Sequence, residues 1–318
     1  MRIRLGTRGS RLARVQSEGV AAALRALGAD VELLAIKTSG DRLAQVALAD
    51  FGGKALFVKE IEEALLGGRA DMGVHSLKDM PAILPAGLCL AAYPRREDPR
   101  DVLLTRGGET LRDLRHGAVV GTSSLRRRVM LLSHRPDLRI EPIRGNVDTR
   151  LRKLAAGDYD ALVMARAGLR RLGLEPVSAR PLPAHDFLPA VGQGILGIEA
   201  RESDRALLEL LSGLDHTETR VQAEAERAFL ARLGAGCHTA VAGLARLEGD
   251  ALTVDGWVAS VDGRTVLSAA VSGPSATARL LGEKLADELL ARGARAVLEE
   301  TPCRRGPKSE RPGRSAAG

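Results

Sequence analysis

The sequence predicts an α/β protein with two doubly wound lobes and a small α+β domain at its carboxyl-terminal end. Strands and amphipathic helices alternate over roughly the first two thirds of the chain, a pattern typical of α/β lobes. A strand that leads into Gly-Thr and then a helix opened by serine occurs twice, at Gly6 and at Gly121, which favours two lobes of one plan. Apolar and polar residues then alternate between 241 and 271, as they do in antiparallel strands.

The first lobe begins with a strand–helix–strand unit. Residues 2–6 are predicted as a strand, Ser10 as the N-cap of a helix and Gly28 as the end of that helix. A strand over Val31–Lys37 follows, and then a loop over 38–54 that is rich in Gly and Asp. Two further elements complete the lobe: a helix marked by Phe57, Ile61 and Leu65, and a strand over Met72–His75.

The second lobe follows the polar, proline-containing stretch Arg95–Arg100, which is typical of a domain boundary. The same alternation of elements returns here, with strands over Ala118–Gly121, Leu138–Ile143 and Asp160–Ala165, each followed by a helix. The Gly-rich stretch Leu188–Glu199 is predicted as a hinge and a strand that returns to the first lobe.

The third domain begins with an amphipathic helix over Glu218–Leu233, and Gly236-Cys237-His238 lies on the loop after it. Three antiparallel strands, a helix and a last strand are predicted to follow, over Val241–Leu247, Leu252–Val261, Arg264–Val271, Ala276–Ala291 and Ala294–Glu299. We therefore expect the first lobe to comprise 1–97 and 195–214, the second 98–194, the third domain 215–301, and 302–318 to be a disordered basic tail.

Composition excludes several classes of protein. Four of the seven net positive charges lie in the predicted tail, and aromatic residues make up only 2% of the chain, so a nucleic-acid partner is not expected. The chain has no apolar run of membrane-spanning length and no space for a signal peptide before its first strand, so we expect a cytoplasmic protein without a membrane partner. Three widely spaced cysteines and six scattered histidines predict neither a disulfide framework nor a metal site.

The stretch DMGVHSLKDMP, from Asp71 to Pro81, is the first candidate for chemistry. It places Lys78 and Asp79 at the carboxyl end of a strand, where open α/β sheets bind their ligands. We predict that the carboxylate of Asp79 carries out the reaction. The alternative is that both residues are solvated loop charges, and the two residues by themselves favour that alternative.

Three loops carry groups that bind anions. Backbone N–H groups and the positive end of the helix dipole attract negative charge at helix starts. Such starts are predicted at 6–10, with Arg8, and at Thr122-Ser123-Ser124, with Arg126 and Arg127 one turn further on; Arg144 and Arg150 bracket the third loop. Guanidinium groups bind carboxylates or phosphates through paired hydrogen bonds. Ordinary capping is the alternative for each loop, but three such loops on matching faces favour a polyanionic ligand.

Two other motifs concern cofactors and a reactive thiol. Gly192-Gln193-Gly194 lacks the full dinucleotide fingerprint and the Walker pattern is absent from the chain, so neither a nicotinamide cofactor nor a P-loop is expected. Cys237, on a loop expected to be exposed, is a nucleophile, a point of covalent attachment or an inert small residue.

Taken together, seven stretches make the chain resemble the porphobilinogen deaminase (hydroxymethylbilane synthase) family from about Ile3 to Glu300. In order they are GTRGSRLA at Gly6, GGKALFVKE at Gly52, ADMGVHSLKDMP at Ala70, GTSSLRRR at Gly121, IRGNVDTRL at Ile143, LPAVGQG at Leu188 and ERAFLARLGAGCHTAV at Glu226.

The resemblance implies a monomeric transferase of tetrapyrrole and haem biosynthesis. Its two lobes would have the periplasmic-binding-protein fold with the active cleft between them. One dipyrromethane cofactor, two linked pyrroles, would be bound through a thioether to Cys237. The enzyme would add four porphobilinogen units head to tail, release ammonia each time, and free hydroxymethylbilane by hydrolysis.

The resemblance also implies which residues form the site. Asp79 would stabilise the cation left when ammonia departs and would move protons. Each pyrrole carries an acetate and a propionate, so the growing chain is a polycarboxylate. The residues that would bind it or lie beside it are Arg8, Ser10, Lys54, Ser76, Lys78, Thr122, Ser123, Ser124, Arg126, Arg127, Arg144, Arg150, Arg171 and Gln193. Phe57 either packs on a pyrrole ring or belongs to the core face of its helix.

The chain departs from the family pattern at three positions. Ala235 and Ala240 alter the cysteine loop, and Asp50 stands where the family often has Lys, which removes a positive charge near the cleft. A two-lobed protein that captures a small anion without turnover remains the alternative function. Such a protein would need neither Asp79 nor Cys237 and would usually carry an export signal.

Overall fold

The computed structural model describes residues 1–36, 58–235 and 239–299. The predicted positions Asp50, Lys54, Phe57 and Cys237, the loop over 38–54 and the predicted tail over 302–318 lie outside the described residues.

The first lobe is built on a five-stranded sheet with the order β2-β1-β3-β10-β4. β1 (Arg2–Arg8) pairs in parallel with β2 (Asp30–Ile36) and β3 (Met72–Ser76), whereas β10 (Leu196–Arg201) is antiparallel to β3 and to β4 (Leu88–Ala92). The predicted return of the chain to the first lobe is confirmed by β10. Side chains of β1 pack on one face with the helices α1 (Arg11–Ala26) and α6 (Arg205–Ser212), and α2 (Lys59–Leu66) packs on Ile36 and Leu88.

The second lobe repeats this plan, with the strand order β7-β6-β8-β5-β9. β6 (Val119–Gly121) is parallel to β7 (Arg139–Glu141) and β8 (Ala161–Ala165), whereas β5 (Asp101–Thr105) is antiparallel to β8 and to β9 (Arg180–Pro181). Its helices are α3 (Leu125–His134), α4 (Val147–Ala156) and α5 (Arg166–Arg171). The antiparallel strands beside the parallel ones are β10 in the first sheet and β5 in the second, and the chain enters each of them from the other lobe. Two crossing segments, residues 95–100 before β5 and 188–195 before β10, therefore join the lobes.

The third domain contains an antiparallel sheet of β11 (Ala240–Glu248), β12 (Ala251–Ala259) and β13 (Val266–Pro274). The helices α7 (Thr217–Leu233), α8 (Ala278–Ala291) and α9 (Ala294–Glu299) belong to it, and its core includes Phe229 of α7 and Leu285 of α8. α7 and α8 approach closely at Gly282, which has no side chain. A Cβ there would lie 2.1 Å from the Ala225 carbonyl oxygen. The predicted architecture of two α/β lobes and a small α+β domain is confirmed.

One predicted element is wrong and three strands were not predicted. Residues Ala294–Glu299, predicted as a strand, form the helix α9. Its two buried residues, Ala294 and Val297, are three positions apart, which places them on one helical face. The strands β4, β5 and β9 were missed, and in β5 all five residues are buried, so the alternation that marks a half-buried strand is absent.

Candidate active site

Lys78 and Asp79 lie on a short 3₁₀ turn, Leu77–Asp79, directly after β3. The N–H of Leu77 donates to the carbonyl of Ile195 at 2.9 Å, and the Leu77 side chain is buried. These contacts fix the turn, while Lys78 and Asp79 themselves are half-buried. The pair therefore lies at the carboxyl end of a parallel strand, where the sequence analysis expected it.

Three other predicted residues lie at the same edge of the first sheet. Ser76 ends β3, and the side-chain amide of Gln16 donates to its Oγ at 3.2 Å. Arg8 ends β1 and is half-buried, and Ser10 caps α1 by accepting from the N–H of Ala13 at 3.3 Å. Because β1 and β3 are adjacent and parallel, their carboxyl ends meet.

In the second lobe, hydroxyl groups order the loops around the start of α3. Ser124 caps this helix by accepting from the N–H of Arg127 at 3.4 Å. Ser123 Oγ donates to the Ile143 carbonyl at 2.8 Å and accepts from the Ile143 N–H at 3.1 Å. Thr122 Oγ1 accepts from the N–H of Ser124 at 3.2 Å. Capping, the alternative weighed from the sequence, therefore describes the contact of Ser124, whereas Ser123 and Thr122 hold the backbone of the neighbouring loops.

Arg126 and Arg127 do not extend into solvent but are ion-paired with Asp101 inside the lobe. Their side chains are 4% and 10% exposed, and that of Asp101 is fully buried. Arg126 approaches Asp101 Oδ2 at 2.7 Å, and Arg127 approaches Oδ1 at 2.8 Å. Burial by itself would raise the pKa of Asp101, but the two guanidinium groups hold that pKa well below its usual range.

Arg150 and Arg171 are positively charged, and within the described residues neither of them donates a hydrogen bond to a carboxylate. Arg150 Nε donates to the Gly145 carbonyl at 2.8 Å, and Arg171 donates to the Gly194 carbonyl at 2.6 Å. Burial, together with the nearby Arg127, lowers the pKa of Arg150, and burial lowers the pKa of Arg171 to about 10. Arg144, on the same loop as Gly145, is exposed.

These half-buried cations fit a ligand with several carboxylates. An anion that bound Arg150 and Arg171 would offset the charge that burial leaves uncompensated. The contrast is Arg170, whose pKa is raised because Glu175 and Glu97 already accept its hydrogen bonds. These donors therefore fit carboxylate groups such as those of a dipyrromethane, the cofactor that the sequence resemblance implies.

Gln193 connects the two lobes and is fully buried. Its Nε2 donates to the Pro99 carbonyl at 2.7 Å and to Asp101 Oδ1 at 2.8 Å. Its Oε1 accepts from Lys78 Nζ at 3.2 Å. Since a carbonyl and a carboxylate only accept hydrogen bonds, the amide nitrogen must face them and the amide oxygen must face Lys78.

The two segments that join the lobes run side by side next to Gln193. The N–H of Glu97 donates to the Gly194 carbonyl at 3.1 Å. Gly194 has a φ of +89°, and a Cβ there would lie 2.2 Å from the Glu97 carbonyl oxygen. Glycine is therefore required at this crossing both for its backbone conformation and for space.

Sequence reasoning missed Asp101 and two adjacent residues of α7, Glu226 and Arg227. Glu226 is fully buried and accepts from Arg96 at 2.6 Å, from the N–H of Gly192 at 2.6 Å and from the N–H of Ala245 at 2.9 Å. Arg227 donates to the carbonyls of Pro81 and Ala82, at 3.1 and 2.9 Å, directly after the Asp79 turn. The sequence of α7 carries no signal for them, because the helix also contains Glu218, Arg220, Glu224 and Arg232 and its charged residues look alike in the sequence.

The predicted roles of Lys54 and Cys237 stay predictions, since neither residue is described. In the described ranges, no helix combines the length and apolar character that crossing a bilayer requires.

Comparisons with known proteins agree on one family. The family model "Porphobilinogen deaminase, dipyromethane cofactor binding domain" matches residues 3–209, and "Porphobilinogen deaminase, C-terminal domain" matches residues 221–291. A porphobilinogen deaminase of Syntrophobacter fumaroxidans is 50% identical over 300 residues, which cover 94% of this chain and 97% of the relative. One of Roseiflexus castenholzii is 51% identical over 296 residues, which cover 92% and 97%.

Solved structures give a weaker likeness. A periplasmic substrate-binding protein of an ABC transporter from Coxiella burnetii is 17% identical, covers 67% of this chain and 91% of its own, and has a TM-score of 0.40.

Proposed function

Because the chain belongs to the porphobilinogen deaminase family, we propose that it joins four porphobilinogen units head to tail and releases hydroxymethylbilane. The observation that carries the proposal is the pairing of a half-buried Lys78–Asp79 turn with an arginine-rich edge of the other lobe, connected through Gln193. The site combines one carboxylate for proton chemistry with an excess of positive charge for a polycarboxylate.

The arginines bind the acetate and propionate groups of the substrate. Arg150 and Arg171 are the strongest candidates, since burial lowers the pKa of each, and a bound carboxylate would offset the cost of burying these charged guanidinium groups. Arg8 and Arg144 extend the positive surface along the two sheet edges, the buried Arg127 adds positive charge behind it, and Ser10, Ser76, Thr122, Ser123 and Ser124 shape the loops.

Asp79 carries the chemistry in this proposal. Each cycle breaks the carbon–nitrogen bond of the porphobilinogen aminomethyl group and releases ammonia, which leaves a positive charge spread over the pyrrole. The carboxylate stabilises that charge and accepts the proton that the attacking ring carbon loses. Half-burial strengthens both effects, because the field of a carboxylate is screened less there than in water.

Cys237 and the residues around it hold the cofactor. When bound, the dipyrromethane supplies the pyrrole carbon from which the chain grows. Cys237 would attach it through a thioether, and Lys54 would be one of the residues that bind the pyrrole chain.

We also propose that the domain limits lie at 97/98, 194/195 and 214/215. The protein would act as a monomer in the cytoplasm and would have no nucleic-acid partner. The small positive excess outside residues 302–318 supports the last point. Light scattering of the purified protein that gave a dimer mass would contradict the monomer.

The intact mass of the purified protein tests the function. We expect a surplus equal to two linked pyrroles, located by peptide mapping on the peptide that contains Cys237. Cys237→Ala should abolish the surplus, whereas Cys89→Ala, a matched change at a half-buried thiol in β4, should keep it. An unmodified wild-type mass that stays unmodified after incubation with porphobilinogen would support the anion-binding alternative instead.

A further inference from the structure

Asp101 is the centre of a set of hydrogen bonds that joins the two lobes. We name the residues Lys78, Gln193, Asp101, Arg126 and Arg127 the Asp101 network. Asp101 is the first residue of β5 and follows directly on one of the two crossing segments. Asp101 and Gln193 are both fully buried.

The carboxylate of Asp101 is saturated with donors. Oδ1 accepts from the terminal NH2 of Arg127 and from Gln193 Nε2, both at 2.8 Å. Oδ2 accepts from Arg126 at 2.7 Å and from Arg127 Nε at 3.2 Å. Four hydrogen bonds match the four lone-pair sites of a carboxylate, so the orientation of both guanidinium groups is fixed.

Backbone carbonyls hold the outer sides of the same two arginines. Arg126 also donates to the Leu188 carbonyl at 2.7 Å, and Arg127 donates to the Val163 carbonyl at 3.1 Å. The two cations and one anion leave one net positive charge in a buried cluster. A ligand carboxylate that reached an unused N–H group of either arginine would therefore meet a fixed guanidinium rather than a mobile side chain, which reduces the entropy lost on binding.

Gln193 extends the network into the first lobe. It bonds Asp101 Oδ1 with its amide nitrogen and Lys78 Nζ with its amide oxygen. Arg127 and Gln193 both donate to Oδ1 of Asp101. A shift of Arg127 that moved this carboxylate would therefore also move the acceptor of Gln193. Lys78 is the neighbour of Asp79 in the sequence.

We propose that Asp101 is a positioning residue: it holds Arg126 and Arg127 toward a carboxylate of the bound pyrrole chain and, through Gln193, couples that pair to Lys78. The inference rests on the proposed function for the identity of the ligand. The coupling between the lobes is a property of the chain itself and can be measured without turnover.

Asp101→Asn tests the proposal, with Asp98→Asn as the matched control. Asp98, on a crossing segment, also has two arginine partners, Arg100 and Arg166, each at 2.7 Å, but in the described residues its carboxylate forms no hydrogen bond or ion pair with the Asp101 network. Two quantities are compared: the rate at which porphobilinogen adds the two-pyrrole mass to the unloaded protein, and the rate at which an amine-acylating reagent modifies Lys78, read by peptide mass.

We expect Asp101→Asn to slow loading about tenfold or more, as the loss of hydrogen bonds to charged groups predicts. It should also change the acylation rate of Lys78 by about threefold or more, since Lys78 loses the fixed orientation of its acceptor. Asp98→Asn should change neither rate beyond what its loss of thermal stability explains. Identical behaviour of the two variants would overturn the proposal, and an unchanged Lys78 rate would overturn the coupling even if loading slowed.

A second variant decides the question if Asp101→Asn does not fold. Gln193→Met leaves the ion pairs of Asp101 in place and removes the amide between Asp101 and Lys78. We expect the same change in the Lys78 acylation rate, and a wild-type rate would overturn the proposal. A wild-type protein that never gains the two-pyrrole mass would contradict the proposed function instead, because acylation of Lys78 does not depend on the cofactor.

Discussion

Asp79 is the residue on which the proposed chemistry depends most. Asp79→Asn keeps the size of the side chain and removes the charge that would stabilise a cation and accept a proton. We expect turnover to fall about 100-fold or more, with the circular dichroism spectrum and the cofactor mass largely unchanged. Normal turnover by the variant would show that another group carries the reaction.

Another carboxylate, that of the buried Glu62 in α2, should make stability depend on pH. Burial, together with the nearby Glu199, raises the pKa of Glu62 above its ordinary value of 4.5, and His75 opposes that rise. The folded protein thus keeps the Glu62 proton to a higher pH than the unfolded chain does. Glu62 therefore costs stability as pH rises from 4.5 through the raised folded value.

We expect Glu62→Gln to gain in Tm relative to wild type as pH rises over this range, measured by thermal unfolding. Glu63→Gln is the control, because Glu63 is 55% exposed and lies 3.8 Å from Lys59 on the same helix. Parallel Tm curves for wild type and Glu62→Gln would contradict the assignment.

Residue types were predictable from the sequence, but their partners were not. The sequence indicated that Arg126 and Arg127 belong to an anion site, and the structure pairs both with Asp101, about 25 positions earlier in the chain. That pairing depends on which strands become neighbours, and local patterns contain no information about it. For the same reason the sequence did not indicate that Gln193 would contact Lys78.

At the scale of elements, α7 is the helix that connects the parts of the site. Glu226 contacts both crossing segments, and Arg227 contacts the backbone after the Asp79 turn. Glu226→Gln would leave the nearly buried guanidinium of Arg96 without its carboxylate. Breaking a buried ion pair from one side costs about 3–5 kcal/mol.

We therefore expect urea unfolding of Glu226→Gln to show a large loss of stability. Glu224→Gln is a matched change on the same helix, at a side chain that is 47% exposed and lies 3.6 Å from Arg220, and it should cost less than about 1 kcal/mol. Equal losses for the two variants would mean that the buried pair has no special weight.

Elements with a clear periodicity were predicted well, and those without it were not. α7 and the three strands of the third domain follow their sequence patterns closely. β5 is buried at every residue, so its pattern has no polar face to reveal it. α9 spans only six residues, too short for a helical repeat to stand out from a strand.

At the scale of the whole molecule, an exposed ion pair in the described part of the chain joins the lobes away from the crossing segments. Arg11, at the start of α1, lies 2.5 Å from Asp148, in the first turn of α4, and their side chains are 52% and 35% exposed. Exposed pairs contribute about 0–1 kcal/mol. This ion pair by itself therefore adds little to what holds the lobes together at that edge.

A double-mutant cycle with Arg11→Gln and Asp148→Asn measures this contact. We expect a coupling energy below about 1 kcal/mol in urea unfolding, with additive effects in high salt. A coupling above about 2 kcal/mol would show that the pair holds the lobes together and that relative motion there must first break it.

The position of Glu226 also bears on how such a chain can be recombined. Its carboxylate belongs to the third domain, whereas two of its donors, Arg96 and the N–H of Gly192, belong to the segments between the lobes. A version of the chain that ended before α7 would keep those donors and lose their acceptor. The third domain is therefore not a module that could be exchanged or appended independently, and tolerated insertions should fall in exposed turns such as Gly249–Asp250, between β11 and β12.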